Sequence, residues 1–403
     1  MLSKYRLILI SLVFSVLLSS CVEEIGISSL SYDRGLVVEG RITNENKYHT
    51  ITLSQTYMID SVRVSSVPEE NAIVQIQDNA DRLYNFIEES PGVYKSEDIF
   101  AAEENNYYKL KIKRFDGREY ESRSEQLTNK SEITAVNYSL RESESDGEVV
   151  DFKVTSNSQE GESHYYLYEY EETYLVYASK WTFEQFDLDS GYPPTISVEL
   201  KDYNHQYCYK TQYSNNLKQA ETVSLGEDKV EDLIIRTIPL YDAAIAERYS
   251  ILVKQYVQSL DAYNYYQKLQ VFSEPSDVFS ETQVGFIEGN VFSKTNSNEN
   301  VVGFFEVSSV SSKRIFVDRI DITERTYNYD CVPIAPLLYE TFVLDGFNDV
   351  PPLIEFLDLE EYILLYANDA FPPHLPGPYV LTPIECGDCT ALGDLEKPSF
   401  WID

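Results

Sequence analysis

The chain has 403 residues, of which 43% are apolar, and its 67 acidic and 32 basic side chains give a net charge of −35. This charge opposes binding to nucleic acid, because nucleic-acid affinity depends on Lys and Arg neutralising phosphates. With 33 Tyr and 19 Phe the chain is too rich in apolar and aromatic residues to be disordered, and its length suits roughly two or three domains.

The chain begins with the pattern of a secretory signal. Lys4 and Arg6 precede an apolar run over residues 7–18. A run of about a dozen residues is too short to cross a bilayer, which takes roughly 20. We therefore predict that residues 1–20 are a signal peptide that is cleaved from the mature chain.

The end of this signal, Leu18-Ser19-Ser20-Cys21, resembles the lipobox of bacterial lipoproteins, in which the cysteine is acylated. Several acyl chains on Cys21 would form a durable anchor, and a plain signal peptide with an ordinary Cys21 thiol is the alternative. Cleavage would remove two basic residues and leave −37 on the mature chain. Such a chain repels anionic headgroups, so attachment to a membrane must come from the lipid.

Residues 21–34 are predicted to be a lipidated tether. Its acidic pair, Glu23 and Glu24, resembles the surface-export signal of Bacteroidota lipoproteins, and a solvated acidic linker is the alternative. We therefore expect an outer-membrane protein, anchored by lipid and facing the cell exterior.

Alternating strands begin at Leu36, and about seven short strands are expected over residues 35–128. Tyr108 to Lys113 alternates apolar and basic residues, and Asp116-Gly117 supplies the positive φ angles of a tight hairpin. The pattern predicts an N-terminal immunoglobulin-like or transthyretin-like β-sandwich.

Residues 131–330 are predicted to form a second β-rich domain, which gives a mainly β chain of tandem sandwiches. Residues 165–170 are aromatic on both strand faces, which indicates core packing more than a ladder that stacks on sugars. One helix is expected near residues 259–272, with Ser259 as its N-cap.

The segment over residues 331–403 is rich in proline and acid, and short strands and short helices both fit its apolar runs. Four cysteines lie beyond the lipobox: Cys208, Cys331, Cys386 and Cys389. An even number in an exported protein favours disulfides over a zinc site. We predict that Cys331 pairs with Cys386 or Cys389 and that Cys208 takes the other. A bond between Cys386 and Cys389 is the alternative.

No catalytic motif is found. The four histidines (His49, His164, His205 and His374) have no metal-ligand spacing, and the chain contains no nucleophile elbow or phosphate-binding glycine loop. We expect neither an enzyme nor a cofactor or metal site, although catalytic residues can also converge from distant positions.

Several short stretches, in their order along the chain, resemble the Bacteroidota lipoproteins known as domain of unknown function 4249. They are Cys21-Val22-Glu23-Glu24, residues 36–44, Gly92-Val93-Tyr94, residues 115–120, Cys208-Tyr209, residues 287–291, Val302-Gly303-Phe304-Phe305 with Arg314-Ile315, Cys386-Gly387-Asp388-Cys389 and residues 397–401. The resemblance implies no catalytic residue. It implies a companion of TonB-dependent outer-membrane transporters in nutrient capture, and a structural or adhesive surface protein is the alternative.

The lipid on Cys21 should be the only membrane attachment. We expect the variant Cys21→Ala, exported with a cleavable signal, to move from the membrane fraction to the soluble fraction in detergent-free buffer. The unchanged protein is the control. Retention of Cys21→Ala with the membranes would contradict the lipid anchor.

Overall fold

The computed structural model describes residues 35–55, 67–158, 163–189, 195–273, 287–335, 361–367 and 379–402. The predicted signal peptide, Cys21, the acidic pair Glu23 and Glu24, and His374 lie outside these ranges. The described chain is mainly β, which confirms the predicted fold class.

Nine strands between residues 36 and 126 form most of an eleven-stranded sheet. In the seventh, Tyr108, Leu110 and Ile112 are buried whereas the lysines between them are not, so the predicted alternation is confirmed there. These strands are β1 Leu36–Thr43, β2 Thr50–Gln55, β3 Val67–Pro68, β4 Ile73–Asp78, β5 Leu83–Ser90, β6 Val93–Ser96, β7 Tyr107–Lys113, β8 Glu119–Ser122 and β9 Glu125–Gln126.

Two strands from much later in the chain complete this sheet. β19 (Val291–Ser293) pairs with β8, and β20 (Val302–Ser308) runs parallel to β1 with Val38 opposite Gly303. The continuous second domain predicted over residues 131–330 therefore needs correction, because residues 291–308 belong to the first sheet. β20 is buried along nearly its whole length. A strand buried in this way has no two-residue alternation that could reveal its place.

The side chain of Asn290 joins the two ends of this sheet, where β19 and β20 lie. Its Oδ1 accepts from the Phe305 N–H at 2.8 Å, and its Nδ2 donates to the Phe305 carbonyl at 2.8 Å. Nδ2 also donates to Glu125 Oε1 at 2.8 Å. The side-chain amide thus takes the place of a backbone peptide, and the eleven-stranded sheet curls until its edges meet.

Two glycines allow this close approach. A Cβ on Gly289 would lie 1.6 Å from the Gly303 carbonyl oxygen, and a Cβ on Gly303 would lie 2.0 Å from the Val38 oxygen. Gly303 also has φ +136°, a backbone conformation that residues with a side chain rarely adopt.

The second β unit is a sandwich of a three-stranded sheet, β10-β11-β17, and a five-stranded sheet, β15-β12-β18-β21 with β16 paired to β12. Phe152 and Tyr249 meet between the sheets with ring centroids 4.8 Å apart. Its strands are β10 Glu132–Ser143, β11 Gly147–Asn157, β12 Tyr165–Tyr177, β15 Tyr207–Tyr213, β16 Lys218–Glu221, β17 Lys229–Pro239, β18 Arg248–Val257 and β21 Val310–Asp318.

Helix α1 (Leu260–Ser273) confirms the predicted helix. Ser259 Oγ accepts from the Ala262 N–H at 3.2 Å, as its N-cap position predicts. Ala262 and Tyr265 pack against Phe304 of β20, so the helix covers the first sheet beside the second unit. In the described part of the chain, no helix is both long and apolar enough to cross a membrane.

Ser309 connects the two β units, since it lies between β20 of the first sheet and β21 of the second. Its N–H donates to Thr128 Oγ1 at 2.9 Å, and its hydroxyl donates to the Thr128 carbonyl at 2.8 Å. Its own carbonyl accepts from the Val257 N–H at 3.0 Å. One continuous extended segment therefore belongs to both units.

The remaining elements are short. The apolar run at residues 362–366, which the sequence analysis left open as a short strand or a short helix, is a strand. These elements are the hairpin β13 Glu184–Asp189 and β14 Thr195–Leu200, the hairpin β22 Tyr362–Ala367 and β23 Tyr379–Pro383, the helices Arg319–Ile322 and Ile384–Gly387, and the 3-10 turns Ala243–Ile245 and Cys389–Ala391.

Because Asn290 satisfies two backbone groups of Phe305, Asn290→Ala should lower the free energy of unfolding by about 2–6 kcal/mol, at roughly 1–3 kcal/mol for each buried group left unpaired. Equilibrium urea denaturation measures this change. The control is Asn137→Ala, on the exposed side of β10, which should change stability by less than about 0.5 kcal/mol. Equal effects of the two variants would contradict the closure by Asn290.

Candidate functional site

A cleft of ≈ 780 Å³ opens at one end of the five-stranded sheet. Its walls come from β15, from the start of β18, from the segment that follows β21, and from Trp401 near the C-terminus. A smaller recess of ≈ 260 Å³ adjoins it and shares Tyr327 and Tyr329. The volume lies within the range of small-molecule sites, roughly 300–1,000 Å³.

The first wall is formed by two tyrosines on β15. Tyr207 and Tyr209 lie on one face of the strand because side chains alternate with a period of two, and Cys208 between them is buried on the other face. Tyr207 is half exposed and stacks on Tyr177 with ring centroids 5.1 Å apart. One ring of this stacked pair is therefore accessible to a ligand.

The second wall is the segment after β21, which carries Tyr327 and Tyr329. Their rings lie 4.7 Å apart, edge to face. The Tyr329 hydroxyl donates to Glu247 Oε1 at 2.5 Å. Burial, followed by this bond to Glu247, raises the pKa of Tyr329, so the phenol stays protonated. The second wall is thereby fixed to the residue that precedes β18.

The end of the chain closes the cleft. Trp401 packs edge to face on Tyr209 at 5.1 Å, and the guanidinium of Arg314 lies 3.5 Å from the centre of the Phe400 ring. The backbone of Asp394 exchanges two hydrogen bonds of 2.8 Å with Tyr209. The C-terminal segment thus pairs with the free edge of β15.

Two disulfides fasten the same segment, Cys208–Cys389 and Cys331–Cys386. This pairing is one of the two that the sequence predicted, and it uses all four thiols, so none is left for the alternative zinc site. Each bond joins a wall of the cleft to the C-terminal segment, because Cys208 lies between Tyr207 and Tyr209 and Cys331 follows Tyr329 by two residues.

The charged residues that line the cleft balance one another. Arg248 forms a bidentate ion pair with Asp318 at 2.6 and 2.7 Å, and Arg325 pairs with Glu148. Arg319 instead donates to backbone carbonyls. The lining contains three acidic and three basic side chains: Glu247, Asp318, Glu324, Arg248, Arg319 and Arg325. It is therefore neutral in a chain of net charge −35.

The described histidines lie elsewhere and have structural partners. His49 is buried with Nε2 2.9 Å from the Phe100 carbonyl, and burial lowers its pKa to about 4. His164 Nδ1 lies 3.3 Å from Thr222 Oγ1. His205 Nδ1 lies 2.9 Å from Asp388 and braces the C-terminal segment. Within the described ranges, no three His, Cys, Asp or Glu residues are placed to hold a metal ion.

The aromatic run at residues 165–170 is mainly core, with Tyr166 and Tyr168 each 1% exposed, so the packing interpretation is confirmed for these two. The cleft tyrosines were missed by the sequence analysis. The signal that could have found them is their spacing, since Tyr-Cys-Tyr at residues 207–209 and Tyr-x-Tyr at 327–329 both adjoin disulfide cysteines.

Loss of the Cys331–Cys386 bond should destabilise the protein. The bond closes a sequence separation of 55 residues, for which chain entropy gives about 4 kcal/mol. Under non-reducing conditions, we expect the double variant Cys331→Ser/Cys386→Ser to unfold at lower urea concentration than the unchanged protein. The two midpoints should lie closer together when both proteins are reduced. Peptide mapping without reduction should recover both pairs, and four free thiols would contradict the pairing.

Comparison with known proteins gives a family and no activity. No curated protein matches the chain. The family model described as domain of unknown function (DUF4249) matches residues 23–314. This range is most of the chain and includes the first β unit and all of the second except the end of β21. The protein therefore belongs to the DUF4249 family.

Proposed function

We propose that this protein is a surface-exposed, lipid-anchored outer-membrane lipoprotein that captures a nutrient beside a TonB-dependent transporter. The observation that carries the proposal is the concave aromatic cleft. A flat apolar patch would favour docking of a protein, whereas a concavity with accessible rings favours a small ligand.

The construction of the cleft also suits binding. Its rings are held by disulfides, by backbone pairing at Asp394 and by the Tyr329–Glu247 bond. A site held open in this way loses little conformational entropy when a ligand enters, which favours affinity. Tyrosine rings bury a large apolar area and keep a hydroxyl for hydrogen bonding, so they suit a ligand that is partly polar.

Sequence features outside the described residues support a location at the outer membrane. A lipid on Cys21 would restrict the protein to two dimensions beside barrel proteins, and the tether over residues 21–34 would let the fold reach them. Confinement raises the effective concentration of a docking surface, so even a weak interface persists. A mature charge of −37 favours a partner with basic exposed loops and makes the association sensitive to salt.

Extraction in mild detergent at low salt should co-purify a TonB-dependent barrel, and raising the salt should release it. The matched control is Cys21→Ala, which should recover little barrel because its lipid anchor is absent. Deletion of the gene should slow uptake of the captured nutrient under limitation. A protein that comes out alone at low salt, without barrel cross-links in living cells and without an uptake defect, would instead favour the structural or adhesive role.

A further inference from the structure

The guanidinium of Arg319, in the cleft lining, has no carboxylate within ion-pair distance among the described residues. Within the described residues, every other arginine forms at least one salt bridge, and Arg319 forms none. This is unusual in a chain with twice as many acidic as basic side chains. Since no carboxylate of the described residues pairs with it, the charge is available to a ligand.

Backbone carbonyls hold this guanidinium in place. Nε donates to the Arg325 carbonyl at 2.9 Å, and Nη1 donates to the carbonyls of Leu240 and Ile245 at 3.2 and 3.0 Å. The group also lies 5.3 Å from the centre of the Tyr327 ring. Neutral carbonyls fix the orientation without cancelling the charge. Nη2 has no hydrogen-bond partner in the described chain, so its N–H groups remain able to donate to an anion.

From this geometry we infer that the cleft binds an acidic saccharide, with Arg319 on its carboxylate and the tyrosine rings against its sugar faces. The inference rests on the proposed capture function and names the ligand class of the same cleft. The neutral lining supports it, because a site with the mean charge of this chain would repel an anion.

The other lining groups select a sugar over an aromatic acid. Glu324 and Thr326 are exposed in the lining and can accept hydrogen bonds from hydroxyls. An aromatic acid has few hydroxyls to offer, so binding it would desolvate these acceptors without replacing their bonds to water. One available guanidinium also suits a ligand with a single carboxylate better than a dianionic phosphate. The carboxylates of Glu247 and Asp318 line the same space and would repel a second negative charge.

The test measures binding of galacturonate, its methyl ester and neutral galactose to the purified full chain in detergent, by titration calorimetry. We expect galacturonate to bind about 10-fold more tightly than the ester, since a charge-assisted hydrogen bond is roughly twice as strong as a neutral one. Arg319→Gln should reduce binding of the acid to the level of the ester and leave binding of the ester little changed.

The control for net charge is Arg123→Gln, because Arg123 is exposed and only loosely paired with Glu288 at 3.9 Å. It should retain the preference for the acid. If Arg319→Gln does not fold, Arg319→Lys is the second variant: it keeps the charge without the planar fork and should show an intermediate preference.

Equal binding of acid and ester by the unchanged protein, or a folded Arg319→Gln that keeps the preference, would overturn the role of Arg319. Binding of none of the three saccharides would overturn the ligand class. Neither result decides the capture function, because co-purification with a barrel and the uptake defect test that function without these probes.

Discussion

The guanidinium of Arg41 is the charge around which the two β units are joined. Arg41 lies on β1 of the first sheet and donates to Glu306 on β20 and to Glu169 on β12, each at 2.8 Å. The Tyr256 ring of β18 covers it at 4.0 Å. Burial alone would lower the pKa of Arg41, but Glu306, Tyr266 and Glu169 raise it well above its ordinary value.

This cluster fixes β20, the strand that leads through Ser309 into β21. Glu306 is 2% exposed, so loss of its partner would leave a buried charge uncompensated, at a cost of about 3–5 kcal/mol. Glu306 lies three residues before Ser309, where the chain passes from the first sheet to the second. The same segment then reaches Asp318 and Arg319 at the cleft. The antiparallel pairing of β21 with β18, which ends with Asp318 opposite Arg248, then places Arg319 at the cleft.

The sequence predicts this fold well where the pattern is local. The alternation in β7, the N-cap at Ser259 and the even number of cysteines each depend on a few neighbouring residues or on composition. Prediction from the sequence fails where strands that pair are far apart along the chain. An example is β20, whose buried apolar run fits any central strand. The cleft could not be predicted from the sequence for the same reason, because Tyr207, Tyr329 and Trp401 converge from positions nearly two hundred residues apart.

The closed sheet gives physical meaning to two of the stretches that resemble the family. Residues 287–291 contain Gly289 and Asn290, and residues 302–305 contain Gly303 and Phe305. Their role is to bring the edges of one sheet together, with the glycines allowing contact of the backbones and the asparagine completing the hydrogen bonds. These stretches maintain the shape of the scaffold and lie outside the cleft lining.

The cleft itself spans the end of the family match at residue 314. Tyr207, Tyr209 and Glu247 belong to the matched range, whereas Arg319 and Trp401 lie beyond it. One wall is thus part of the scaffold, and the part of the cleft beyond residue 314 is fastened to it by the Cys208–Cys389 bond and a backbone pairing at β15. The Cys331–Cys386 bond joins the second wall to the C-terminal segment. Residues in a fastened segment of this kind can change without altering the sheets, since few of them contribute to either β core. The lining of the cleft therefore combines Tyr207 and Tyr209 from the sandwich with Arg319 and Trp401 from this segment, and only the second pair can change independently of the sheets.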